Sequence, residues 1–441
     1  MREAFEDETK AAPTVRRGGL CRIGEVREHL PMASRRRDHV PAVALLLTAS
    51  LLALAACSAS PEQEPAIEVA PQDGAFDPLA ITLTGLGAGR EVRLVATTEL
   101  EGSAMSSRAT FVADEDGRVD LATTAPTEGS WTTADAMGPF WSMNRASLAA
   151  LSADVDVRLV VSADDDVLAE AVVERRGYGA DVDVQDVTDD GMVAAYAVPD
   201  GLSADASLPA VLVFSGSEGG LGNARATAIS LAALGYPALA ISYFKSPGQP
   251  PQLENVPVET FLTGLAWLRE QPGVDTERVF TFGQSRGGEM ALWLAANHPD
   301  EVYGAFAPTG AGRLYCGYPN HGVPAWTLAG EGLPCAEYRW GVPPPPEAVV
   351  DVDAIVGPTV LACGRADPVW EACLLLTEAT SRFSDPTQVR AIVQEDAGHF
   401  IVPAPYQPIA LDEPGAEPAA THQARVDLWN AVADVLAQAR Q

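Results

Sequence analysis

The 441-residue chain has room for two domains, and its 47% apolar content with 7% aromatics is that of a globular protein. It carries 29 Lys/Arg against 60 Asp/Glu, a formal charge of −31; beyond residue 56 the balance is 20 against 53, or −33. Such a surface disfavours nucleic acid and anionic membrane as partners, and does little to attract a polyphosphorylated ligand unless arginines such as Arg286, Arg313 and Arg339 line a mouth locally.

Residues 1–31 are charged and aperiodic, which suits a non-native extension ahead of a true start at Met32. Residues 32–57 read as a lipoprotein signal peptide. Arg35-Arg36-Arg37 form its positive region, and the apolar run Val40–Ala53 is too short for a span of about 20 residues. Leu54-Ala55-Ala56-Cys57 matches a lipobox, in which the Cys57 thiol takes a diacylglyceryl group and becomes the mature N-terminus. Cleaved, or retained as an uncleaved anchor, the segment places the rest of the chain on the outer face of the bacterial cytoplasmic membrane. Ser34-Arg35-Arg36 loosely suggests a twin-arginine signal, but Asp38 stands at an apolar position of that pattern. Residues 58–65 are a polar tether.

Residues 66–180 read as an all-β domain. Short alternating runs at 80–85, 91–96, 107–112, 155–161 and 167–174 are separated by turn signals such as Asp114-Glu115-Asp116-Gly117. The spacing suits a sandwich of roughly seven strands. From 181 to 441 the pattern changes. Residues 182–187 and 192–198 suggest a hairpin, after which apolar runs alternate with helical stretches at 257–271 and 424–439. That alternation calls for a mainly parallel sheet with helices on both faces.

Within this second domain, Pro209–Phe214 is an apolar, buried strand followed by the glycine-rich loop Ser215–Leu221. Further on, Gly283-Gln284-Ser285-Arg286-Gly287 follows the run Arg278–Phe282 and opens the helical stretch Glu289–Ala296. A GxSxG between strand and helix is a nucleophile elbow, the turn that holds a serine at the top of an α/β-hydrolase sheet. A serine hydroxyl needs a base, and in this fold the order is Ser, Asp or Glu, then His. His399 lies on the loop after the apolar run Val389–Val393, whereas His298 ends a helix, His321 sits in a Gly/Pro-rich insertion and His422 opens the last helix. Asp367, on the exit of the run Thr359–Gly364, is the expected third member, with Asp396 as the alternative. The oxyanion hole takes one backbone N–H from Arg286 and a second from Ser217 or Glu218. Glu289, one turn after Ser285, either pairs with an arginine or biases the charge of the site.

Cys316, Cys335, Cys363 and Cys373 remain after the lipobox, and an even number in an exported chain suggests disulfides. Of three possible pairings, Cys316–Cys335 and Cys363–Cys373 is the favoured one. No CxxC or His cluster accompanies them, so no metal is expected, and no cofactor. Residues 310–346, between the sixth and seventh strands of the domain, form an insertion where such folds place a lid. Its Tyr315, Tyr318, Trp326, Tyr338 and Trp340 line an acyl pocket or pack the insertion onto its own domain.

From about residue 65 onward the chain resembles the acyl-CoA thioesterases and bile acid-CoA:amino acid N-acyltransferases. The resemblance rests on Pro209–Leu221, Ala224-Arg225-Ala226, Ala232–Phe244 and the elbow Gly283–Glu289. It implies an immunoglobulin-like sandwich ahead of an α/β-hydrolase domain, with Ser285 as nucleophile, Asp367 as acid and His399 as base. The amino-acid transferases of the family use cysteine as nucleophile; serine here favours transfer to water. Glu218 stands where a glycine is common. The expectation is a serine hydrolase acting on a small-molecule acyl thioester or ester. An envelope acyltransferase and a non-catalytic surface binding protein are the alternatives.

Overall fold

The computed structural model describes residues 63–100, 103–143, 154–342, 346–409 and 413–441. The signal region, the lipobox Cys57 and most of the tether lie outside these residues. The first part of the described chain holds eight strands: β1 (Ala66–Ala70), β2 (Ala80–Thr84), β3 (Glu91–Leu100), β4 (Ser103–Val112), β5 (Val119–Asp120), β6 (Glu128–Gly129), β7 (Val155–Ala163) and β8 (Asp166–Arg175), with a one-turn helix α1 (Gly138–Trp141). They form an antiparallel three-stranded sheet, β1-β2-β5, and an antiparallel five-stranded sheet, β6-β4-β3-β7-β8. Alternate residues of each strand point inward, as the period of two requires. Ile81, Leu83, Val92, Leu94, Phe111 and Leu159 therefore share one core, closed by Trp131 and Trp141. Sequence patterning missed β5 and β6 because two residues are too few to alternate.

The second part begins with the antiparallel pair β9 (Val182–Val187) and β10 (Ala194–Pro199). There follow β11 (Leu208–Phe214), α2 (Gly222–Ala233), β12 (Ala238–Ile241), β13 (Val256–Pro257), α3 (Glu259–Arg269), β14 (Val274–Gly283), α4 (Arg286–Asn297) and β15 (Gly304–Pro308). The chain ends through β16 (Trp326–Leu328), β17 (Glu331–Gly332), β18 (Thr359–Gly364), α5 (Ala372–Thr380), β19 (Val389–Gln394) and α6 (Pro418–Ala439). The main sheet runs β19-β18-β15-β14-β11-β12-β10-β9, parallel from β19 to β12. This is an α/β-hydrolase-like fold. Every residue of β11 is buried, as a central parallel strand covered on both faces must be. Leu212 and Phe214 face the core under α3, α4 and α5; Val211 and Val213 face the core under α2 and α6. The last helix starts six residues earlier than its apolar periodicity suggested, at Pro418, a residue suited to a first helical turn.

The two parts join in one compact unit, Ser60–Gln441. Trp141 stacks on His422 of α6 with ring centroids 4.6 Å apart. Asp135 accepts from Trp141 Nε1 at 2.6 Å and faces His422 Nε2 at 3.6 Å. The Tyr178 hydroxyl donates to the Pro405 carbonyl, and the buried Arg175 holds the Ala75 carbonyl at 3.1 Å.

Within the insertion, β16 pairs with β13 and β17 in a small sheet. Tyr315 and Trp326 are buried in the core, Trp326 packing on Tyr243 and Phe261, whereas Tyr318 and Trp340 are about half exposed. The aromatics of this segment divide between packing the insertion onto the sheet and lying at its surface.

Candidate active site

The parallel strands β14, β18 and β19 send their C-terminal loops to one edge of the sheet, where ligands of open α/β sheets bind. Only Gln284 and Ser285 separate β14 from α4. Ser285 has φ 53° and ψ −120°, a conformation rare outside glycine that the surrounding packing must hold. A side chain at Gly283 would put its Cβ 2.2 Å from the Gly287 carbonyl oxygen, so the turn closes only with glycine there. The Ser285 N–H donates to the Pro308 carbonyl at 3.0 Å, which ties the elbow to the end of β15. Ser285 is 5% exposed.

Arg286 is the first residue of α4, so its N–H is one of those the helix cannot use itself. Its guanidinium turns inward: Nε donates to Glu289 Oε1, and Nη2 donates to the carbonyls of Tyr315 at 2.7 Å and Cys316 at 2.9 Å. Glu289 Oε2 accepts the Tyr315 N–H at 3.0 Å. Burial pushes the Glu289 carboxyl up to about 7, against the pull of Arg286 and of its hydrogen bonds. Arg313 binds the Glu347 carbonyl and pairs with Glu378, and Arg339 pairs with Glu337. The three arginines proposed as phosphate partners thus all have partners within the chain.

The loop Ser215–Leu221 abuts the elbow. A Cβ placed on Gly216 would lie 3.1 Å from both the Gln284 carbonyl oxygen and Ser285 Cβ. The buried Tyr243 hydroxyl holds the carbonyls of Ser215 and Gly216, each at 2.8 Å. Lys245 Nζ donates to the Glu218 carbonyl at 2.8 Å, and Glu218 Oε1 accepts from Asn223 Nδ2 at 3.0 Å. Ser217 and Glu218 are therefore carried on a loop fixed from three sides.

His399 and Asp367 meet: Nδ1 lies 2.6 Å from Oδ2, with side chains 5% and 1% exposed. Asp367 Oδ1 accepts the N–H groups of Val369 at 2.8 Å and Trp370 at 3.2 Å. Trp370 is itself anchored, its Nε1 donating to the Thr309 carbonyl at 3.0 Å. Cys363 of β18 is bonded to Cys373 of α5, which closes the Asp367 loop, and Cys316 is bonded to Cys335 inside the insertion. A side chain on Gly364 would clash with the Ala397 carbonyl, so glycine at the end of β18 lets the His399 loop cross over it. Asp396 is exposed and gives its carbonyl to the Glu417 N–H, so Asp367 rather than Asp396 faces the imidazole. His298 caps α4 beside Glu301, His321 lies against Tyr318, and His422 belongs to the contact with Trp141.

Glu413 is a participant that sequence reading missed. Its Oε1 accepts the His399 N–H at 2.6 Å, and burial pushes its carboxyl above the usual range. It lies in a proline-containing stretch with no periodicity, and nothing in the sequence marks it. Tyr243, though inside the stretch Ala232–Phe244, was given no role, and Lys245 was unmarked, because both follow the strand after the loop they hold. Among the described residues no group of three or more His, Cys, Asp or Glu could hold a metal ion.

Residues 77–189 match the family described as acyl-CoA thioester hydrolase/BAAT N-terminal region, and residues 250–411 match the prolyl oligopeptidase family. Acyl-coenzyme A thioesterase 6 of Mus musculus is 27% identical over 393 residues, covering 81% of this chain and 92% of that protein. Acyl-coenzyme A thioesterase 1 of Rattus norvegicus is 26% identical, covering 80% and 91%. Peroxisomal succinyl-coenzyme A thioesterase of Mus musculus is 23% identical, covering 81% and 92%. Among solved structures, a bacterial heroin esterase is 17% identical, covering 58% of this chain and 85% of its own, with a TM-score of 0.40. A dienelactone hydrolase from Anabaena variabilis is 18% identical, covering 57% and 98%, with a TM-score of 0.35. Similarity to the acyl-CoA thioesterases thus extends over 81% of the chain, and its first part matches the acyl-CoA thioester hydrolase/BAAT N-terminal region.

Proposed function

We propose that this chain is a serine hydrolase that cleaves acyl thioesters or esters through an acyl-enzyme. The observation that carries the reading is the buried Asp367–His399 contact on the same sheet edge as the strained Ser285 elbow. Ser285 attacks the acyl carbonyl while His399 Nε2 takes its proton. Asp367 holds the Nδ1 proton, fixing the tautomer and stabilising the imidazolium. The N–H groups of Arg286 and of Ser217 or Glu218 receive the oxyanion. The leaving thiol or alcohol takes the proton from His399, and water, activated by the same base, releases the acid. The acyl-CoA thioesterases among its relatives favour a thioester substrate.

The two antiparallel sheets of the first part suit an immunoglobulin-like sandwich, the arrangement implied by the family resemblance. Export with a lipid on Cys57 is part of the same reading. Its supports are the lipobox in the sequence and the two disulfides, bonds that persist in oxidising compartments. Among the described residues no helix is long and apolar enough to cross a membrane.

A fluorophosphonate probe on the chain from Ser58 tests the chemistry. Labelling of the wild type, lost in Ser285→Ala and His399→Ala, with turnover of acyl thioesters or esters, is the expected result. A folded wild type that takes no label overturns it. Mass spectrometry of the N-terminal peptide tests the anchor, which is refuted by an unmodified Cys57.

A further inference from the structure

Glu218 brings a carboxylate to the place where the reaction develops negative charge. Oε1 is held by Asn223 Nδ2 at 3.0 Å, on the first turn of α2. Oε2 lies 2.8 Å from the point where a Cβ on Gly216 would stand, and Ser285 Cβ lies 3.1 Å from that same point. The carboxylate oxygen and the nucleophile's Cβ are therefore separated by no more than the sum of those two lengths. The Lys245 ammonium beside the loop donates to the main-chain oxygen of Glu218, at 2.8 Å. Arg286, the other cation here, is turned toward Glu289 and the insertion. The Glu218 charge also reaches the wall behind the loop: the Tyr243 hydroxyl is pushed well above its usual range by burial first and by Glu218 next.

We propose that Glu218 is a specificity-determining residue whose carboxylate discriminates against acyl groups carrying a carboxylate of their own near the reacting carbonyl, so that the acyl class is uncharged. The proposal rests on the hydrolase reading above. On this proposal the acyl chain bound to Ser285 Oγ runs past Glu218, so that a carboxylate two methylenes beyond the carbonyl comes near it. Two unit charges roughly 7 Å apart at an effective dielectric of about 30 repel enough to change a rate on the order of tenfold. A neutral chain of the same length meets no such barrier, because the discrimination is one of charge rather than of size.

The test compares S-butanoyl- and S-(3-carboxypropanoyl)-N-acetylcysteamine, two thioesters with the same uncharged leaving group. The chain from Ser58 is used as wild type and as Glu218→Gln. The glutamine keeps an oxygen for Asn223 and removes only the charge. The expected result is a wild-type kcat/KM preference for the butanoyl thioester that shrinks about tenfold in Glu218→Gln; a ratio cancels differences in folded fraction. A ratio that moves less than twofold, or a wild type that prefers the charged substrate, overturns the proposal while turnover and phosphonate labelling keep the hydrolase reading standing. A wild type that takes no phosphonate label and turns over neither thioester overturns both.

Discussion

Replacing Glu289 by Gln asks whether burial or pairing governs the carboxyl behind the elbow. Glu289 is fully buried, with Arg286 on Oε1 and the Tyr315 N–H on Oε2. Its carboxyl is pushed up from an ordinary 4.5 to about 7, burial outweighing its partners. Between those values the native state holds a proton that the unfolded chain has released, so stability falls as pH rises through the window. The shift corresponds to about 3 kcal/mol, fully lost above pH 7. With no solvent around the side chain, nothing screens this interaction. Glutamine fills the same space and does not titrate, and the remaining titrating groups are common to both chains. The unfolding free energy of wild type minus that of Glu289→Gln should therefore fall by about 3 kcal/mol from pH 4.5 to pH 8. Urea unfolding at a series of pH values, with the disulfides intact, measures that difference. If wild type instead gains stability relative to Glu289→Gln as pH rises, the attraction of Arg286 exceeds the cost of burial and the argument is wrong.

Further predictions concern the loops that carry the proposed base and its partner. Asp367→Asn should lower kcat about 10³- to 10⁴-fold with little change in unfolding midpoint, since an amide opposite Nδ1 favours the wrong imidazole tautomer; phosphonate labelling rates measure it. Replacing Cys363 and Cys373 together by Ala removes a crosslink across ten residues. Chain entropy puts the loss at about 2–3 kcal/mol, read from the urea midpoint. Glu413→Gln should lower kcat about tenfold with KM nearly unchanged, because it loosens the backbone of His399 without touching substrate; an unaltered kcat would remove Glu413 from the site.

The elements legible in the sequence were those with a strong local signature. The elbow is readable because Gly283 and Gly287 sit where only glycine fits, between an apolar strand and a helix. The order of the main-sheet strands was not legible, but their alternation with helices was, and that alternation gave the parallel sheet. Asp367 and His399 stood out because each follows a strand of the same sheet. The roles of Glu413, Tyr243 and Lys245 were invisible for the opposite reason: each acts on a loop brought to it only by tertiary packing. The insertion's aromatics show a third case. Composition marked Tyr315 and Trp326 as notable, but whether a ring lines a pocket or fills a core depends on what covers it. Here both rings are covered by the domain itself.

Three glutamates gather around the elbow and the His399 loop, and their surroundings separate their tasks. Glu289 is fully buried against an arginine and ties α4 to the insertion at Tyr315. Glu413 is buried against backbone N–H groups and fixes the loop of His399. Glu218 keeps one oxygen on an amide, and its other oxygen and Ser285 Cβ both lie close to the same point beside Gly216. The first two act on backbone and substitute for contacts that a longer turn or a larger core would supply. Glu218 differs because the elbow does not need its charge: Tyr243 and Lys245 already hold the loop through its carbonyl groups. On the proposed mechanism, a carboxylate that the loop can do without, beside the oxyanion, costs transition-state stabilisation on every substrate. Its presence is therefore better accounted for by selection among acyl groups than by the architecture of the loop.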